Sequence, residues 1–127
     1  DYISKKNKKI YHQCSIDYYQ DAINIIEKKY GETNFFVFSD ETKWVKKNLK
    51  LKNALYIEND VSKKPNEDIL LMSKCKFNII ANSSFSWWGA WLNQFEGKHV
   101  ISPKKWFINK NLNKYTDDIL CNDWEKI

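Results

Sequence analysis

Apolar residues recur along the chain in two alternating rhythms. Ile16, Tyr19, Ile23, Ile26 and Tyr30 stand three or four positions apart, the spacing of one helix face. Ser15 sits where an N-cap belongs, and Gly31 is placed to stop the helix. Phe35-Phe36-Val37-Phe38 then forms an unbroken apolar run that suits a strand buried on both faces. Ser39-Asp40 ends that run, with Asp40 placed to cap a short helix carrying Trp44, Val45 and Lys47.

The alternation repeats. Ala54-Leu55-Tyr56-Ile57 predicts a second strand, followed by a polar loop through Pro65. Asn66 is placed to cap a helix holding Ile69, Leu70, Met72 and Ser73. Phe77-Asn78-Ile79-Ile80-Ala81 predicts a third strand, and Asn82-Ser83-Ser84 leads into an aromatic helix over 85–93. His99-Val100-Ile101 is a fourth strand, closed by Pro103. The tail, with Trp106, Phe107 and Trp124, reads as loop and short helix wrapping back over the sheet. Strands alternating with helices through short connections predict an α/β fold, a parallel sheet with helices on both faces. Residues 1–14 form an irregular N-terminal segment, and 1–127 read as a single domain without repeat or linker.

Composition narrows the chemistry. The 127 residues carry 21 Lys plus Arg against 16 Asp plus Glu, a formal net charge of +5, and every one of those cations is Lys. Without Arg, a bidentate guanidinium clamp on phosphate is unavailable, leaving Lys, backbone N–H groups and hydroxyls. The commonest specific reader of guanine edges in duplex DNA is also missing, and the Lys are dispersed, so nucleic acid is not an expected partner. The chain is 43% hydrophobic with six Trp, which predicts a buried core and excludes disorder. No run approaches the roughly 18 apolar residues of a membrane span, and no signal-peptide pattern opens the chain. Cys14, Cys75 and Cys121 include no CxxC pair and read as idle reduced thiols, consistent with a cytoplasmic setting and no metal site. Lys5, Lys6, Lys8 and Lys9 read as a solvated face, or as a patch attracted to anionic lipid on the inner face of the cytoplasmic membrane.

In an open parallel sheet, ligands bind beyond the carboxyl ends of the strands. Ser39-Asp40, Glu58-Asn59, Asn82-Ser83-Ser84 and Ser102-Pro103 are predicted to occupy that edge. The third is the most informative: two hydroxyls at a helix N-terminus join N–H donors and the positive helix end. It lacks the glycines of a P-loop. A sugar nucleotide's diphosphate suits it, with Asp40 or Asp68 accepting hydrogen bonds from base or ribose. The bland readings stand beside these. Ser83 or Ser84 as a simple cap, worth about 1 kcal/mol, is favoured on local pattern alone. Asp68 in a first helical turn reads as a carboxylate complementing the dipole. Trp87, Trp88 and Trp91 read as core, with Gly89 letting their helix approach the sheet. The two His have no nucleophile at recognisable spacing, and no general base is identified.

Three runs carry a family resemblance: Phe36-Val37-Phe38-Ser39-Asp40; the segment 72–93 around Asn82-Ser83-Ser84-Phe85-Ser86-Trp87-Trp88-Gly89-Ala90-Trp91-Leu92-Asn93; and Pro103-Lys104-Lys105-Trp106. Together they resemble the bacterial α-1,2-fucosyltransferases of glycosyltransferase family 11. The resemblance implies transfer of L-fucose from GDP-fucose to a sugar hydroxyl, commonly the 2-position of galactose, with inversion and no essential metal or cofactor. It implies a Rossmann-like, nucleotide-binding lobe of a two-lobed (GT-B-like) enzyme, with a GDP-sugar and a glycan acceptor as partners. The family's leading motif is H-x-R-R-G-D-Y, whose arginines meet the diphosphate. Asp1-Tyr2 match its end, which implies that the arginines lie upstream of Asp1 and that the chain is a C-terminal fragment, inactive alone.

Carried over residue by residue, Asp1 is the motif's acidic end and Asp68 the acidic position used on guanine. Ser83, Ser84 and Phe85 match the loop at the phosphates, and Asp40 borders the nucleotide pocket. Two alternatives stay open: a glycosyltransferase of the same fold with another donor or acceptor, and a non-catalytic nucleotide- or sugar-binding module with its aromatics as a stacking platform.

Overall fold

The computed structural model describes residues 10–57 and 65–127. Asp1, Lys5, Lys6, Lys8, Lys9 and the Glu58-Asn59 loop lie outside them. The described elements alternate as the periodicity predicts: α1 (Ile16–Tyr30), β1 (Phe35–Phe38), α2 (Thr42–Asn48), β2 (Ala54–Ile57), α3 (Pro65–Ser73), β3 (Phe77–Ile79), α4 (Ser84–Trp91), β4 (His99–Ser102), α5 (Lys110–Asn113), a 3-10 turn (Thr116–Asp118) and β5 (Glu125–Lys126). Ser15 caps α1 by accepting from the Tyr18 N–H, and Gly31 closes it at φ 81°, a left-handed conformation costly for any residue with a Cβ.

Among the described residues all pairs of these strands are parallel, but they form two sheets instead of one. β1 pairs with β2, Phe35 opposite Ala54 through Phe38 opposite Ile57. β3, β4 and β5 make the second, with Phe77 opposite His99 and Ile101 opposite Glu125. β5 corrects the reading of the tail as loop and helix. Its two residues, Glu125 and Lys126, carry no apolar alternation for a sequence pattern to detect.

The second sheet holds the core. The pleat sends Phe77, Ile79 and Ile101 to one side, where Ala22 and Ile26 of α1 cover them. It sends Ile80 and Val100 to the other, against Ala90 of α4 and the tail residues Trp106, Leu120 and Trp124. Full burial of each large aliphatic contributes about 1.5–3 kcal/mol. Every residue of β4 is buried, as befits a central strand covered on both faces. The first sheet departs from that expectation. Phe36 and Leu55, opposite each other in register, are 52% and 59% exposed.

Three local readings are corrected. Asp40 does not cap α2: Glu41 is the flanking residue, and the Ser39 hydroxyl accepts the Glu41 N–H. Asn66 lies inside α3, whose first residue is Pro65, since a fixed φ and a missing N–H suit that position. Gly89 admits a helix and not the sheet: a Cβ built there would stand 2.6 Å from the Met72 Cβ on α3. No helix among the described residues is long and apolar enough to cross a membrane.

Candidate functional site

The first turns of α1, α3 and α4 gather at the carboxyl edge of the β3–β5 sheet. In α1, the Tyr18 hydroxyl donates to the carbonyls of Ile80 (2.6 Å) and Ile101 (3.3 Å), tying the helix to the ends of β3 and β4. The helices α3 and α4 lie side by side and run the same way, because each delivers the chain to the amino end of a parallel strand. Their far ends are joined by buried amides. Asn93 Nδ2 donates to the Cys75 carbonyl and to Asn78 Oδ1, both at 2.7 Å, while Asn78 Nδ2 donates to the Met72 carbonyl. Their middles meet at Met72 and Gly89. One turn back from each contact stand Asp68 and Phe85, which places them at the same level of the edge.

Asp68 is buried to 6% exposure, and its Oδ1 has no hydrogen-bond partner among the described residues. A carboxylate complementing a helix dipole is normally solvated, so the dipole reading does not explain this burial. An orphaned buried polar group costs about 1–3 kcal/mol, and Asp68 shares that condition on this edge with the Ser102 hydroxyl and the Trp106 Nε1, neither of which is a carboxylate.

Ser83 and Ser84 differ. The half-buried Ser83 is the N-cap of α4, its Oγ accepting the Phe85 N–H at 3.3 Å. Ser84 is exposed and opens the helix. The capping reading therefore holds for Ser83 and leaves the Ser84 hydroxyl facing outward beside the positive helix end. Ser86 turns inward, donating to the Ala81 and Ser83 carbonyls.

Asn82 organises the loop. Buried at 7% exposure, its Nδ2 donates to the carbonyls of His12 (2.6 Å) and Trp106 (2.9 Å), and its Oδ1 accepts from the Cys14 thiol. Asn82 pins the N-terminal segment and the Trp106 loop to the end of β3, assisted by the Tyr11–Phe107 bridge. Burial pushes the Cys14 thiol and the Tyr18 and Tyr19 phenols above their ordinary values, so all three stay protonated here.

The structure thus places Asp68, Ser83, Ser84 and Phe85 in the first turns of two adjacent helices on one edge. Asp40 stands exposed at the carboxyl end of β1, on the other sheet. Asp1 is outside the described residues. Lys104 and Lys105, quoted above in a family run but given no site role there, are exposed cations on the fourth loop of the same edge. Their position after Pro103 was the available signal. Sequence reasoning did not find the positioning roles of Tyr18 and Asn82, whose partners are more than 60 residues away or on the tail.

The tryptophans correct the core reading. Trp87 is half-buried, its Nε1 donating to the Ile119 carbonyl, but Trp88 and Trp91 are 46% and 50% exposed. Positions 84, 88 and 91 share the helix face opposite Ala90, so α4 turns them outward. Trp88 and Trp91 pack edge to face, centroids 5.6 Å apart.

His99 lies at the other end of β4, its Nε2 2.6 Å from Glu125 Oε2, where it braces β5. A concave region of about 460 Å³ also lies at an amino end, that of β1 and β2, between Asn34 and Lys52, and includes none of the candidate residues. Among the described residues no group of three or more His, Cys, Asp or Glu is arranged to hold a metal ion.

Comparison with known proteins gives this edge a context. Residues 1–127 match the family described as Glycosyl transferase family 11, and the chain belongs to it. The O-antigen biosynthesis glycosyltransferase WbnK of Escherichia coli is 45% identical over 124 residues, 96% of this chain and 41% of that protein. An alpha-1,2-colitosyltransferase of the same organism is 40% identical over 133 residues, 100% of this chain and 44% of that protein. The chain therefore spans less than half the length of the curated relatives it matches. No solved structure gives a significant match.

Proposed function

We propose that this chain is the donor-nucleotide-binding lobe, of Rossmann-like GT-B architecture, of an inverting α-1,2-glycosyltransferase that moves L-fucose from GDP-fucose to the 2-hydroxyl of a galactoside. The observation that carries the proposal is the buried Asp68, level with the start of α4, whose Oδ1 has no partner among the described residues. A purine carrying adjacent ring and exocyclic N–H donors, as guanine does, satisfies such an acceptor. The diphosphate then falls to the Ser84 hydroxyl and the free N–H groups of the first turn of α4, with Ser83 and Phe85 shaping the loop. Asp40 and Asp1 border the same nucleotide from the neighbouring strand end and the leading segment.

Glycosyl transfer with inversion needs a base at the acceptor hydroxyl and stabilisation of charge growing on the departing GDP. The end of α4 supplies part of the second requirement as preorganised donors that do not reorganise during reaction. A single such donor is typically worth about 3–4 kcal/mol in the transition state. The motif arginines are the remainder, which is why the 127 residues alone are expected to be inactive. No metal or cofactor enters the scheme. The Lys5–Lys9 region gives the enzyme peripheral contact with an anionic membrane face in the cytoplasm.

The relative named for colitosyl transfer favours a second reading, with the same linkage and a different deoxy sugar on the donor. Exposed Trp88 and Trp91 favour a third, a carbohydrate-stacking module. Donor screening of the full-length protein on a β-galactoside separates the three. Transfer from GDP-fucose with an α-1,2 linkage by NMR is expected. Preference for the colitose donor shifts the sugar assignment, and absence of transfer from every GDP-sugar contradicts the proposal.

A further inference from the structure

Leu70, Leu71, Trp88, Trp91, Leu92 and Phe95 are each between 44% and 58% exposed. They share one surface because α3 and α4 share one layer. α4 turns Ala90 to the sheet and Gly89 to Met72 of α3, which leaves Trp88 and Trp91 outward. α3 buries Asp68, Met72 and Ser73, which leaves positions 67, 70, 71 and 74 as its exposed stripe. Soluble monomers seldom gather so many large apolar groups in one place, and such a face marks an interaction surface.

One end of this face is cationic. Exposed Lys74 closes the outer stripe of α3, and the exposed Lys76 holds its ammonium 5.8 Å from the Phe95 ring. Lys98 sits at the same end, donating to the Ala90 and Asn93 carbonyls. Segments 73–77 and 92–98 thus carry three Lys against one carboxylate, Glu96. Aromatic rings and leucines bordered by lysine are the composition of a surface that meets lipid headgroups.

The chemistry of the face selects among occupants. Trp88 stands at 89° to Trp87 and 84° to Trp91, so the two exposed rings offer a sugar no common plane. A second copy of the chain brings the same net charge of +5 and is repelled, whereas an anionic surface is attracted. A fluid bilayer interface accepts rings at any angle, and lysine stems reach along it to the headgroups. The described helices are too short to cross a membrane, so the contact lies on its surface.

We infer that the outer faces of α3 and α4 are a membrane-docking surface for a bilayer bearing anionic headgroups. Trp88, Trp91, Leu92 and Phe95 enter the boundary between headgroups and acyl chains, and Lys74 and Lys76 meet the anionic groups. Ser84 lies one turn before Trp88 on α4, so the candidate nucleotide edge opens at the margin of the contact, beside the membrane. The inference deepens the peripheral contact of the proposed function, yet rests on neither the Lys5–Lys9 region nor the choice of nucleotide.

Flotation with phosphatidylcholine vesicles, with and without phosphatidylglycerol, tests it on the 127-residue chain and on the full-length protein. Both are expected to float with the anionic vesicles and to release at high salt. Trp88→Ser with Trp91→Ser is expected to weaken that binding at least about tenfold, and Leu70→Gln with Leu71→Gln to weaken it on the other helix. Lys74→Gln with Lys76→Gln is expected to cost about tenfold on anionic vesicles. Melting temperatures close to that of the unmodified chain show that the variants are folded. Binding unchanged in both apolar variants overturns the inference, and so does flotation lost only when Lys5, Lys6, Lys8 and Lys9 are neutralised. A chain that floats while the full-length protein does not makes another part of the protein the occupant, and a doubled mass abolished by the Trp variant makes it a second copy; either overturns the inference. Titration with GDP is scored separately. Flotation without GDP binding refutes only the nucleotide assignment, and GDP binding without flotation only the docking surface.

Discussion

Met72 and Gly89 meet with no room for another carbon between α3 and α4. A methyl group at Gly89 would lie 2.6 Å from the Met72 Cβ and 2.9 Å from its Sδ. The contact sets the spacing of the two helices whose first turns carry Asp68 and Ser84. Gly89→Ala is therefore expected to lower stability by about 1–3 kcal/mol, although alanine is the better helix former. Thermal denaturation checks it, and Met72→Ala in the same chain should not restore stability, because the nearest clash is with the Cβ that alanine retains.

The two serines of the loop should separate cleanly. Ser83→Ala removes the cap and is expected to cost about 1 kcal/mol in denaturant unfolding. Ser84→Ala should leave stability within about 0.5 kcal/mol while weakening binding of the nucleoside diphosphate. Equal effects of both on stability would return Ser84 to a structural role.

The Asn78–Asn93 pair is buried, at 8% and 2% exposure, so little solvent can soften its loss. Asn93→Ala would strand the Cys75 carbonyl, Asn78 Oδ1 and the Phe95 N–H. Each buried group left unpaired costs about 1–3 kcal/mol, so the variant is expected to unfold at markedly lower denaturant concentration.

Tyr18 links stability to alkaline pH. Its phenol is held protonated by burial, so its folded-state pKa lies above the ordinary value of 10.0. The folded chain then binds the proton more tightly than the unfolded one. The associated stability is fully present below about pH 10 and declines as pH rises above it. Tyr18→Phe is expected to cost about 0.5–1.5 kcal/mol at neutral pH and to make the alkaline decline shallower. Equilibrium unfolding from pH 8 to 11 measures both.

Much of the fold was legible because its signals are local. Ser15 and Gly31 mark the ends of α1, and four apolar runs mark four strands. What escaped depends on partners distant in the chain. The exposed face of Phe36 and Leu55 looks like a buried strand in sequence, since apolar runs do not reveal whether anything covers them. Trp88 and Trp91 read as core by residue type, yet an eight-residue helix has an outward face and they lie on it. The candidate site was legible in its position and its serines. The distinction between Ser83 and Ser84, the clamp at Asn82 and the burial of Asp68 required coordinates.

Asp68 is the residue on which guanine recognition by this lobe turns. Its buried Oδ1, without a partner among the described residues, is a stability liability unless a ligand uses it. Asp68→Asn is therefore expected to raise the melting temperature and to weaken binding of GDP by about 10–100-fold, the worth of a hydrogen bond to a charged group. Titration calorimetry of the chain and this variant with GDP and ADP is the decisive measurement. The expected result is weak GDP binding at least about tenfold tighter than ADP, with the preference lost in Asp68→Asn. Equal affinity for the two nucleotides, or binding of neither, would contradict a guanine-recognising lobe.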